Sequence, residues 1–141
     1  MEVREARTRG EVEQALALRL RVFCEEQGVD RAAEQDGRDD DAIHLVALQG
    51  GELIGTCRLL VEGGTARLGR NAVSREARGR GVGATLLEAA DRAAVRAGAD
   101  RIRLHAQLRA RTLYERSGYA PQGDAFLEQG IEHVTMEKPL A

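Results

Sequence analysis

The segment Arg78-Gly79-Arg80-Gly81-Val82-Gly83 constrains this chain more than any other stretch. Three glycines alternate between two apolar patterns of different period. Glycine admits φ > 0 and lets a ligand approach the backbone closely. A helix expected after the loop leaves its first N–H groups unpaired, at the positive end of its dipole. Such a loop suits a phosphate, and Arg78 and Arg80 place cations beside it. A solvent-exposed, flexible strand-to-helix connection would have the same composition, so the loop alone leaves that alternative open.

The flanking pattern narrows the choice. Residues 3–6 form a short strand candidate. Thr8 can cap a helix with Glu11 as its reciprocal partner, and apolar residues from Val12 to Phe23 carry that helix to a turn at Gly28. Residues 30–41 are acidic and read as a loop with room for a short helix. Runs 44–48, 53–61 and 65–73 are then separated by glycine turns, which predicts a three-strand meander with an interruption at Gly69. Residues 83–97 switch to helical period, with Leu86, Leu87, Ala90, Ala94 and Ala97 on one side and Gly98 as cap. A strand at 102–106, a short helix at 110–116 and strands at 119–126 and 131–136 complete the order.

A strand, a crossover helix and a returning strand predict a parallel pair inside a mixed sheet. The expected class is α/β (α+β), in three layers and one domain spanning residues 1–141. The relaxed Rossmann pattern G-x-G-x-x-A is met by Gly79, Gly81 and Ala84. The loop, however, follows the third strand of an antiparallel meander, and no acid ends a following strand as that site requires. A P-loop would need a Gly-Lys-Ser/Thr ending, which is absent.

Composition excludes other classes. A net charge of −2, with arginines mixed among acids, gives no reason to expect nucleic-acid binding. No apolar stretch approaches the ~20 residues that span a membrane, and the N-terminus lacks a signal-peptide core. Cys24 and Cys57 have no metal-type spacing and are expected as two buried free thiols. No metal is expected, and the expected compartment is the reducing cytoplasm.

The loop also carries a resemblance. Residues 78–83 match the Q/R-x-x-G-x-G/A signature of the GCN5-related N-acetyltransferases, with Arg78 first, Gly81 fourth and Gly83 sixth. Residues 22–29, 34–37, 44–47, 104–107, 113–119 and 130–134 resemble the ElaA-type branch of that superfamily. These blocks are spread along the chain between Val22 and Lys138.

The resemblance implies an acetyl-CoA-dependent N-acetyltransferase with a splayed pair of strands in a sheet of about seven. It implies that Arg78 and Gly79 open the cofactor loop, and that N–H groups of Arg80, Gly81, Val82, Gly83 and Ala84 bind the CoA pyrophosphate. Asn71, Ala72 and Val73 would pair with pantetheine like an added strand. Gln107 and Ala110 would lie near its exit. An amine would attack the acetyl carbonyl directly, and a main-chain N–H near Val73 would polarise that carbonyl.

Tyr114 matches the family's tyrosine and would protonate the leaving thiolate. Its other reading is a half-buried packing residue. Many relatives carry a glutamate before the loop, but here that strand reads Arg67-Leu68-Gly69-Arg70-Asn71, with no acid. His105 is the first candidate base. His44, His133, Glu26 and Asp36 are candidates for the acceptor side, and a water chain could also carry the proton. The acidic residues Glu34, Asp36, Asp39, Asp40 and Asp41 would attract a cationic, polyamine-like amine, or form only a solvated loop. The expected acceptor is a primary amine of a small molecule. A protein or peptide acceptor and a non-catalytic acyl-CoA-binding module are the alternatives. A homodimer through the last two strands is compatible with either.

Overall fold

The computed structural model describes residues 1–140. Its sheet is built from β1 (Glu2–Glu5), β2 (Ile43–Gln49), β3 (Glu52–Glu62), β4 (Thr65–Val73), β5 (Arg101–Gln107), β6 (Ala120–Glu128) and β7 (Ile131–Pro139). The spatial order is β1-β2-β3-β4-β5-β7-β6, and β4–β5 is the one parallel pair among the described residues. The expected class, strand number and crossover all hold.

The crossover is α3 (Val82–Arg96). Its apolar stripe packs with Cys57, Leu59, Leu68, Leu104 and Ala106 in the larger core. The approach is tight: a Cβ on Gly55 of β3 would stand 2.9 Å from Val82 Cγ1 and 3.0 Å from Leu86 Cδ1. The helix ends at Gly98 with φ of 90°. Gly98 N–H donates to Val95 and Ala99 N–H to Ala94, which satisfies two end carbonyls.

The other face carries α1 (Arg9–Arg19), which buries Ala15 and Leu18 against Val46, Leu53 and Ala72. Thr8 caps α1 by accepting from Glu11 N–H. The expected reciprocal bond is redirected: Glu11 accepts from Arg7 N–H and from the Arg4 guanidinium. That pairing holds the Glu11 carboxyl down at about 2.

The helix does not continue as a plain α-helix to Phe23, as the sequence pattern suggested. Residues Leu20–Glu26 are wound as a π-helix, and Gly28, at φ of 73°, ends it as expected. Two short helices, α2 (Arg31–Glu34) and α4 (Arg111–Arg116), complete the fold. The free cysteines divide: Cys57 is buried, which pushes its thiol up to about 12, whereas Cys24 is only half-buried. Among the described residues, no helix is long and apolar enough to cross a membrane.

Candidate active site

The site begins with an irregularity in β4. Arg58 pairs with Gly69 and Thr56 with Ala72, so one extra β4 residue opposes β3. This is a β-bulge, and Arg70 takes the strained turn with φ of 56°. The interruption foreseen at Gly69 therefore falls one residue later. The extra residue reverses side-chain parity. Leu68 faces α3, whereas Ala72 joins the cluster under α1. The β4–β5 pairing ends at Leu68–Leu104, while β5 runs on to Gln107 beside β7. The two strands part there, as expected of the splayed pair.

Tyr114 of α4 fills the base of that gap. It is 7% exposed, so it is buried rather than half-buried. Asn71 Nδ2 donates to its hydroxyl oxygen at 2.6 Å. That leaves the phenolic proton free for another acceptor. Burial raises the Tyr114 pKa above its usual value near 10, and the Asn71 bond only partly opposes the rise. A neutral phenol here can give up a proton to an anion formed in the gap. Asn71 Oδ1 is buried and has no partner among the described residues.

A cavity of about 640 Å³ opens from the gap over the sheet face away from α3. Asn71, Tyr114, His105, His133, Gln107, Ala110 and Asp36 all line it. Gly69 forms part of the floor, with open space where a side chain would stand. Gln107 is held by Gln27 at 2.9 Å and by Arg109 at 3.0 Å.

Two expected acceptor residues lie elsewhere. His44 is buried at the start of β2, where its Nε2 donates to the Asp39 carbonyl at 2.9 Å, away from the cavity. Glu26 is outside the lining and accepts from Arg78 at 2.7 Å. Arg78 also donates through Nε to the Val73 carbonyl at 2.9 Å. Its guanidinium is thus spent on protein groups, and Arg80 is the loop arginine that makes no such bond among the described residues.

The acidic loop behaves differently from expectation. Arg19, only 1% exposed, donates to Glu34 at 2.7 and 2.9 Å and to Asp39 at 2.7 Å. Arg58 binds Asp36 through two 2.8 Å bonds, and Arg70 reaches Glu34 at 3.0 Å. Glu34, Asp36 and Asp39 are therefore neutralised inside the protein. Asp40 and Asp41 do not line the cavity. A field that draws in a polyamine is not what this loop supplies. The Arg58 bonds also hold the Asp36 carboxyl well below the usual carboxylate range, which makes it a poor base. Sequence inspection missed Arg19, whose one signal was a charge inside an apolar helical stripe.

The loop before α3 keeps its expected form. Gly79 and Gly81 sit at φ of 77° and 80°, and Gly81 caps α3 without any side-chain bond. The first turn of α3 therefore has no side-chain cap on its N–H groups.

A family model described as an acetyltransferase (GNAT) domain matches residues 7–140. The chain belongs to the GNAT acetyltransferase family. It is similar to the uncharacterized N-acetyltransferase YjcF of Bacillus subtilis, at 31% identity over 94% of this chain and 96% of that one. An acyl-CoA N-acyltransferase from Pseudomonas aeruginosa superposes with a TM-score of 0.87 at 32% identity, covering 98% of this chain and 99% of its own. Escherichia coli ElaA gives a TM-score of 0.88 at 25% identity, with 98% and 99% covered. These relatives support the ElaA-like branch, and the family's acetyl donor is acetyl-CoA.

Proposed function

We propose that this GNAT acetyltransferase moves the acetyl group of acetyl-CoA to a primary amine of a small molecule. The observation that carries the reading is the hydrogen-bonded Tyr114–Asn71 pair, set in the strand gap beside a half-open cavity. Donor binding has three supports in this chain. The edge of β4 beyond Leu68 has no β5 partner and can accept an extended amide chain like an added strand. The uncapped start of α3 presents N–H donors to a pyrophosphate. Asn71 Oδ1, which has no partner among the described residues, can accept from a donor on the cofactor.

Acetyl-CoA supplies an activated carbonyl. The residues of this chain orient it and move protons. The acceptor nitrogen, once neutral, forms the C–N bond while the C–S bond breaks. Tyr114 gives its proton to the departing thiolate, and the surplus proton on nitrogen restores the phenol. His105 and His133 are the two histidines on the cavity wall, and His105 takes the first proton from the ammonium. The cavity is bounded by β6–β7 on one side and the residue 33–38 loop on the other, a shape suited to small acceptors.

Calorimetry with acetyl-CoA, followed by thiol release over a panel of small amines and peptides, tests the reading. Micromolar binding and turnover with small amines are expected. No heat at millimolar acetyl-CoA would sink it. Binding without thiol release would point to a sensing module, and peptide-only turnover to a protein substrate.

A further inference from the structure

On the cavity wall one carboxylate stands between two histidines. His105 Nδ1 lies 2.9 Å from Glu128 Oε1, and His133 Nε2 lies 3.6 Å from Glu128 Oε2. A carboxylate only accepts, so Nδ1 of His105 carries the hydrogen of that bond. Nε2 of a neutral His105 is then the ring's lone-pair nitrogen, and it has no partner among the described residues. His133 Nδ1 sits 2.7 Å from the Ile131 carbonyl, which fixes its hydrogen on Nδ1 by the same logic.

Phe126 completes the frame. Its ring meets His105 edge-on at 5.0 Å and stacks on His133 at 6.0 Å. Phe126 and Glu128 are two residues apart on β6, so they share a face. The turn after Glu128 explains how they get there. Gln129 and Gly130 have φ of 52° and 73°, the geometry of a two-residue hairpin with both central residues left-handed. That tight turn pairs Glu128 with Ile131 and Phe126 with His133.

We infer that Glu128 is the positioning residue for the acceptor half of the reaction. It holds His105 in the Nδ1–H tautomer, so that Nε2 faces the cavity as the base for the incoming ammonium. When His105 takes that proton, the carboxylate beside it neutralises the imidazolium. Phe126 and His133 keep the ring from turning away. This role rests on the proposed amine acetylation, but the state of the ring can be read without any reaction.

The test uses the full chain labelled with ¹⁵N-histidine. Imidazole ¹H–¹⁵N correlations at alkaline pH identify the tautomer of each neutral ring, and His105→Gln assigns the His105 signals. Wild type should show Nδ1–H at His105, and Glu128→Leu should lose that preference. Glu128→Ala serves as a second variant of smaller volume. With the fastest amine of the panel, both variants should lower kcat about 10- to 100-fold, the range seen when a ligand-orienting partner is removed, with the acetyl-CoA Kd unchanged. An unaltered His105 tautomer in both variants, or an unaltered kcat, would overturn the assignment. Failure of wild type to bind acetyl-CoA would instead strike the underlying activity and leave the tautomer result standing.

Discussion

Replacing Tyr114 with Phe removes one oxygen and keeps the ring. The ring packs edge-on against Tyr119 at 5.9 Å within the larger core, so the apolar contacts survive. What disappears is the acceptor for Asn71 Nδ2, 2.6 Å away. Asn71 Oδ1 is already without a partner among the described residues, so the variant leaves the side-chain amide of this partly buried residue without a bond at either end. One such donor costs about 2 kcal/mol, which for a domain of this size lowers Tm by roughly 6–10 °C. The catalytic loss should be larger. General acid catalysis contributes about 10²–10⁴ in rate, or roughly 3–5 kcal/mol of barrier.

The two losses separate by assay. Thermal unfolding reads the first. Thiol release at saturating acetyl-CoA reads the second, and calorimetry should find acetyl-CoA affinity within about threefold of wild type. The pH profile adds a sign. Burial holds the Tyr114 phenol above its usual value near 10, so rate loss through its ionisation begins only above pH 10. That alkaline limb should vanish in Tyr114→Phe. A Tm that falls as calculated beside a kcat within about threefold of wild type would refute the acid role and reduce Tyr114 to a structural partner of Asn71.

Arg19→Met should cost about 3–5 kcal/mol in thermal unfolding, because the buried Glu34 loses its nearest cation. Adding Glu34→Met should recover part of that loss by removing the orphaned charge, and no recovery would contradict the account. The same cluster sets an acid limit. Arg58 holds Asp36 low; for Asp39, hydrogen bonds from Arg19 and Arg58 outweigh the upward push of burial. Carboxyls depressed on folding stabilise fully above their unfolded value of ~3.9, so Tm should fall progressively below about pH 4. A flat profile there would exclude the cluster as a stabilising element. Gly81→Ala forces a side chain into φ of 80°, a strain of about 1–2 kcal/mol. Reshaping of the loop should weaken acetyl-CoA binding up to ~10-fold or more by calorimetry, with kcat at saturation little changed.

Much of the donor half was legible because it depends on backbone chemistry that glycine spacing announces. Gly79 and Gly81 take positive φ, and Gly98 closes α3 by the expected carbonyl bonds. The fold class followed from the change of period at residue 83, which forces a crossover helix between two strands. The winding of α1 was not legible. Apolar residues continue through Val22 and Phe23, so a π-wound segment has the same composition as an α-helical one.

The acceptor half is harder to read because it depends on which face a side chain takes, and one inserted residue decides that. Counted by strict alternation, residues 66, 68, 70 and 72 of β4 share a face. The bulge at Arg70 breaks the count, and Ala72 ends on the face opposite Leu68. Nothing local in Leu68-Gly69-Arg70-Asn71 marks this, since Gly69 is the residue that invites a break and Arg70 is the one that makes it. Arg70 can hold a left-handed φ because its guanidinium is anchored at Glu34, thirty-six residues away. The cation that fixes the bulge and the acid that fixes the cation are thus remote in sequence. The bulge in turn aims Asn71 at Tyr114. The position of the candidate acid is therefore a consequence of a buried ion cluster that composition alone had marked as a solvated acidic loop.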